Sequence, residues 1–385
     1  MSDSSAFSEA DTPHGETAPA IRCVVDVCDR TDLFELLDNQ QICQLSSMGE
    51  GTGFACVDSI QKSTGVAHRR ILRPGITPFI VATALIEKLK AETGLELRDF
   101  DQIFLCHSHC DTQAAGRLAK EIADDHSLSL QKLRALNGGC AGYLLLVDEA
   151  CRFLDEVDDR PDPKVLLLNV ETPEFWHDAA DRLFCGIVAA GATATVIQRG
   201  RGWVLSRAQA DHFPPYAELR PAPGPLFWKE QGPFYSFRGQ QVARTVMRMN
   251  AEAVFLNGIE LMLNCLRTTV TASPEIHERR VIVIPHQPSG KLLKALIAAA
   301  RSEFPRFEFL NNLKEYGNMI SAGIPLILSR LPEVLAANGR QPPESGDMLI
   351  LLGAGICMED IAEQMTAGCA CLEWSPLPTM AGVSL

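Results

Sequence analysis

Apolar and polar positions along the chain alternate between two periods. Phe79 to Thr93 carries apolar residues at helical spacing with Lys88 and Lys90 outside the stripe, and Gln113 to Asp124 repeats the pattern. Asp101 to Cys106 (DQIFLC) lies between them as a short, mainly apolar run. Lys132 to Leu136 is a short strand, and Ala141 to Val157 a long helix with apolar Leu145, Leu146 and Ala150 and polar Asp148, Glu149 and Arg152. Lys164 to Val170 (KVLLLNV) is a continuous apolar run, as expected of a strand covered on both faces.

A second series follows the Pro-rich passage Phe213 to Phe234. The spacing predicts a helix over Gln240 to Arg267, a strand over Arg280 to Ile284, and a helix over Lys291 to Phe304. It then predicts a helix over Gly317 to Ala337, a buried strand over Asp347 to Leu352, and a last strand over Cys369 to Trp374. Each series ends in glycine-bearing hairpin sequence, AAGATATVIQRG from Ala189 and LLGAGICMED from Leu351. Helices alternating with buried strands imply a layered α/β fold, here two pseudo-duplicated halves, residues 21–205 and 206–385. Residues 1–20 are acidic and polar and read as a disordered tail.

Composition narrows the class. The 385 residues are 46% hydrophobic, enough for a large core, and no apolar run reaches the ~18 residues a membrane span needs. The first residues lack the basic and apolar regions of a signal peptide, so a cytoplasmic enzyme is expected. A net charge of −13 argues against a general nucleic-acid binder, which needs clustered Lys and Arg. Thirteen cysteines are scattered through apolar segments without a CxxC pair, as in a reduced core. Cys106-His107-Ser108-His109-Cys110 has metal-ligand residue types, but alternate residues of a strand point to opposite faces, so no metal is expected there.

Four local features carry candidate chemistry. Asn137-Gly138-Gly139-Cys140-Ala141-Gly142 lies between a short strand and a long helix. A cysteine at a helix N-terminus faces the positive end of the dipole, which favours thiolate. The alternative is a buried cysteine in a Gly-rich turn. His286 follows a buried strand in VIVIPHQPSGK, where α/β enzymes place reactive groups; alone it reads as a core histidine. Asn318, in Tyr316-Gly317-Asn318, opens a helix and is equally suited to capping it. Gly353-Ala354-Gly355 follows a buried strand and can present a backbone N–H to an oxyanion. Arg248, Lys291 and Lys294 form a candidate basic patch for an acidic partner.

Taken in order, Cys140, His286, Gly317-Asn318 and the late Gly353-Ala354-Gly355 resemble the β-ketoacyl-acyl carrier protein synthase III family of the thiolase superfamily. Ser63-Thr64-Gly65-Val66 with Arg69-Arg70, Asp181-Arg182 and Gly232 to Gly239 are similar to further family segments in the same order. The resemblance covers Ile21 to the C-terminus. It implies the thiolase fold, an α-β-α-β-α sandwich, in a homodimer without a cofactor. It also implies a mechanism: Cys140 attacks an acyl thioester, and the N–H groups of Cys140 and Ala354 hold the oxyanion. Neutral His286 and Asn318 then donate hydrogen bonds to the enolate of a second thioester, in most relatives malonyl. Acyl transfer to an alcohol or amine, and a non-catalytic subunit of a condensing complex, are the competing readings.

The chain also departs from the family pattern. The tryptophan that stacks on the coenzyme A adenine has no counterpart around Ser59. His286-Gln287-Pro288-Ser289 lacks the family's asparagine, and Ala189-Ala190-Gly191-Ala192 its aspartate. Extra residues, Met358 to Met365, follow Gly355. These changes imply a divergent branch whose substrates are acyl carrier protein or coenzyme A thioesters, with the carrier protein preferred in at least one half-reaction.

Overall fold

The structure is a computed structural model, and it describes residues 18–49, 53–157, 159–200, 202–211, 224–356 and 365–375. Among them run β1 (Pro19–Asp26), β2 (Phe34–Asp38), β3 (His68–Leu72), β4 (Gln102–Cys106), β5 (Leu133–Leu136), β6 (Lys164–Glu171) and β7 (Gly191–Arg199). The second series is β8 (Gly202–Asp211), β9 (Phe227–Tyr235), β10 (Gln241–Met249), β11 (Val281–Pro285), β12 (Glu308–Phe309), β13 (Met348–Ile356) and β14 (Met365–Ser375).

Ten strands form one sheet in the order β12-β11-β13-β14-β8-β1-β7-β6-β4-β5. Reading outward from the centre, β1-β7-β6-β4-β5 on one side matches β8-β14-β13-β11-β12 on the other. In each half the inner strands run antiparallel and the outer ones parallel. The sequence repeat is therefore a repeat of strand order. The continuous apolar runs became β4, β6, β11 and the first part of β13, which are buried along their lengths apart from the first residue of β6.

Helices make the remaining layers. The helix Gly142–Glu156 and the pair Gly323–Ser329 and Leu331–Ala337 pack with strand residues of both halves in one core. Pro78–Thr93 and Ala114–Asp125 cover the outer face of the first half, and Ala251–Ala272 with Gly290–Glu303 the outer face of the second. This is the α-β-α-β-α arrangement of the thiolase fold. No single helix among the described residues is long and apolar enough to cross a membrane.

Four sequence expectations need correction. Gln240 to Arg267 is not one helix: Gln241–Met249 is β10, paired along its whole length with β9, and only Ala251–Ala272 is helical. Gly317 to Ala337 is broken, because Arg330 turns away to pair with Asp26 and Asp29, and Pro332 follows at the next helix start. The boundary at residue 205 falls inside β8; the first half ends at the β7–β8 turn. Pro19 and Ala20 already belong to β1, whereas residues 1–17 of the expected tail lie outside the described residues. The same holds for 213–223 of the Pro-rich passage and for 358–364 of the extra segment.

Candidate active site

Gly139, with φ +59°, turns the chain from β5 into the helix Gly142–Glu156, and Cys140 sits on the single 3-10 turn between them. The tight packing beneath explains the small residues. A Cβ at Gly138 would stand 2.7 Å from Gly142 Cα, and one at Gly142 would collide with Cys106 Sγ. His286 follows β11 directly, its N–H donating 2.6 Å to Leu352 O. Its ring is buried, and neither Nδ1 nor Nε2 makes a hydrogen bond to the protein. Asn318 is reached through Gly317, where φ is +69°; its Oδ1 accepts from Ile320 N at 2.8 Å and its Nδ2 donates to Pro288 O at 3.4 Å. Asn318 thus caps the turn and presents its amide towards the His286 loop.

These three side chains line one cavity of about 750 Å³, with Ala354 and Gly355 of β13 and Lys291 at its wall. The path of β13 sets the direction of the Ala354 N–H. Met348 N and Leu352 O bond towards the β11 side, so every second residue of this strand, Ala354 included, directs its N–H that way. The β11 ladder stops at Pro285–Leu352, leaving that side of Ala354 without a strand partner. Gly355 packs against the thiol.

The electrostatics correct the expectation of a readily ionised thiol. Burial, and then the neighbouring Glu171 carboxylate, push the Cys140 thiol up to about 12, against the pull of the helix N-terminus. Burial holds His286 down to about 4, so it is neutral near pH 7. Glu171, not singled out by sequence reasoning, is a buried acid raised to about 8 by burial, although Ser108 and Ser321 hydroxyls donate to it. Burial alone would have found it; nothing in the sequence marks an acid in an apolar strand as lying behind the cysteine.

The motif matches have structural roles. Gly65 closes the helix Val57–Thr64 with φ +78° and touches the Gly290 backbone, so the Thr-Gly segment joins the two halves. Arg69 is buried among the carbonyls of Val66 and Gly186, and Arg70 donates to the carbonyls of Cys28 and Glu315. Ser289, where the family pattern has asparagine, N-caps Gly290–Glu303. Arg248 is a correction to the basic patch: its guanidinium pairs with Asp178, Asp181 and Glu230 at 3.1, 2.8 and 2.9 Å and is not open to a partner. Lys291 and Lys294 are exposed, one turn apart on Gly290–Glu303. The His107–Cys110 loop is tied to the nucleophile turn by Asn137, whose Oδ1 accepts from His109 N at 3.0 Å.

Residues 279–360 match the family described as 3-oxoacyl-[acyl-carrier-protein (ACP)] synthase III C terminal. The chain is 26% identical over 308 residues to the β-ketoacyl-[acyl-carrier-protein] synthase III of Streptococcus pneumoniae serotype 19F (strain G54), covering 77% of this chain and 86% of the relative. Among solved structures it resembles 3-oxoacyl-(acyl carrier protein) synthase III from Pseudomonas aeruginosa PAO1. That match has a TM-score of 0.67 and 20% identity over 94% of this chain and 100% of that one. It also resembles AbyA1, a tetronic acid condensing enzyme, with a TM-score of 0.66 and 14% identity over 92% of this chain and 99% of that one. The fold and these relatives support a condensing enzyme of the thiolase fold. Within that class the chain is β-ketoacyl-acyl carrier protein synthase III-like, and divergent.

Proposed function

We propose that this protein joins two acyl thioesters through an acyl-cysteine on Cys140. The observation that carries the reading is the convergence of Cys140, His286, Asn318 and the strand-free side of Ala354 on one apolar cavity. In the first step Cys140 sulfur attacks the thioester carbonyl, and the oxyanion is held by the N–H groups of Cys140 and Ala354. The carrier thiolate leaves and takes up a proton equivalent to the one Cys140 gives up. In the second step a malonyl-type thioester loses CO2, and His286 and Asn318 donate hydrogen bonds to the enolate oxygen. The enolate carbon then forms the new bond to the acyl carbon, and Cys140 departs as thiolate and is reprotonated.

A histidine held near 4 is a poor base for deprotonating an alcohol or amine, which favours condensation over acyl transfer to such acceptors. Lys291 and Lys294, beside the cavity, suit an acidic carrier protein as the donor's handle. The open edge strand β5 is where a second copy would add to form a dimer. Intact-mass measurement with a panel of acyl thioesters tests the reading: wild type gains the acyl mass on Cys140, Cys140→Ala gains none, and labelling of another cysteine overturns it.

A further inference from the structure

The catalytic cavity is apolar for most of its surface, lined by side chains such as Leu183, Met247, Met249, Phe255 and Met262. A plain hydrocarbon chain would be served by such a wall alone. One stretch is different. Trp176 and His177 both line the cavity, their rings 4.0 Å apart, and His177 is stacked in turn on Phe184 at 4.1 Å. Trp176 Nε1 and His177 Nδ1 are both buried, and neither makes a hydrogen bond to the protein. Trp176 is 2% exposed and His177 1%, so bulk water does not serve them. Leaving two such groups unpaired against a saturated chain is unfavourable, whereas a ligand oxygen that pairs with them is rewarded. Burial and the nearby Arg244 and Arg248 keep His177 well below the ordinary histidine range, so its ring is neutral, with one nitrogen donating and the other accepting.

We infer that Trp176 and His177 form a specificity element for an acyl group bearing a hydroxyl on its chain. The indole N–H donates a hydrogen bond to that oxygen, and the hydroxyl O–H donates one to the unprotonated ring nitrogen of His177. A hydroxyl both accepts and donates and so matches the pair; a ketone accepts only, and a methylene does neither. The inference rests on the acyl-cysteine reading and names the substrate class for that same cavity.

The test uses the full chain and acyl N-acetylcysteamine thioesters of one length: unsubstituted, hydroxylated at successive carbons, and oxidised to ketones at the same carbons. Acylation of Cys140 is followed by intact mass. One hydroxylated member is expected to exceed both the unsubstituted and the ketone analogue in kcat/KM by about tenfold or more, the scale of a buried group left unpaired. His177→Phe and Trp176→Phe should each pull that ratio towards one, and His177→Asn, which keeps hydrogen-bonding atoms, should retain part of it. Should His177→Phe fail to fold, the wild-type ratios decide alone. An unsubstituted chain equal to or better than every hydroxylated one overturns the inference while leaving the acyl-cysteine intact. No acylation of Cys140 by any thioester overturns the acyl-cysteine reading itself, and this inference with it.

Discussion

Gly355 lies directly against Cys140: a Cβ built on the glycine would stand 3.1 Å from Cys140 Sγ and 3.2 Å from its Cα, and closer still to its Cβ. Gly355 does not have a positive φ, so its side chain is excluded by space and not by backbone conformation. Gly355→Ala therefore has to displace β13 or the nucleophile turn. The expected result is a folded protein destabilised by about 1–3 kcal/mol, the cost of overpacking. Acylation should fall by about 10² or more, the scale of misplacing a reacting atom by an ångström. A variant that acylates at the wild-type rate would show that the glycine does not set the thiol's position.

The two half-reactions separate His286 and Asn318 from the nucleophile. His286→Ala and Asn318→Ala are expected to keep forming the acyl-enzyme while carbon–carbon bond formation drops by about 10² or more, as for loss of an oxyanion donor. Single-turnover mass spectrometry for the first step and product analysis for the second resolve these. Asn318→Ala also removes the Oδ1 acceptor of Ile320 N, so Asn318→Asp, which keeps that acceptor but loses the amide donor, is the cleaner variant. Retained condensation in Asn318→Asp would reduce Asn318 to a cap.

Much of this was legible in the sequence because it depends on local pattern. The runs KVLLLNV and RVIVI read as strands and are buried strands, and the small residues flanking Cys140 marked a tight turn between strand and helix. What was missed depends on partners far along the chain. Val242, Val246 and Met249 fit a helical stripe as well as a strand, and only β9 decides between them. Arg248 looked like a surface cation because Asp178 and Asp181 lie about 70 residues away in sequence. Trp203 is stacked on Trp374 in the core, rings 4.7 Å apart. Trp176 and His177 sit just before the Asp181-Arg182 motif, yet only the cavity reveals their unpaired nitrogens.

Stability should respond to pH in two opposing windows. Burial depresses His107, His109, His177 and His286, with His109 and His286 near 4, so between about 6.5 and 4 the unfolded chain binds more protons than the folded one. Their contribution is complete above that window and is lost as pH falls through it. Glu171 acts in the other direction. Its folded value near 8 lies above the ordinary 4.5, so the folded chain holds the extra proton and stability declines as pH rises from 4.5 through 8. Urea unfolding should show Glu171→Gln losing less stability than wild type across that upper window. Parallel curves would mean that Glu171 is already ionised in the folded protein.

The carrier prediction rests on one helix. Lys291 lines the cavity, whereas Lys294 lies one turn further along Gly290–Glu303 and outside the lining, so it can reach a docked protein without meeting the acyl arm. An acidic carrier helix gains from such a charge, and the attraction weakens as salt shortens the screening length to about 8 Å at physiological strength. Coenzyme A thioesters lose the adenine stacking that a tryptophan near Ser59 would give, on the order of 1–3 kcal/mol by analogy with bases stacked on proteins. Carrier-bound substrate is therefore expected to show the higher kcat/KM in at least one half-reaction, with an advantage that shrinks as salt is added. Lys294→Glu should raise KM for the carrier form several-fold and leave that for the coenzyme A form in place. Arg248→Glu behaves differently: it places a fourth acid among Asp178, Asp181 and Glu230, and the expected outcome is a lower melting temperature with either substrate form. Equal loss of both forms in Lys294→Glu, or a coenzyme A thioester that is the better substrate in both half-reactions, would remove the carrier from this face of the protein.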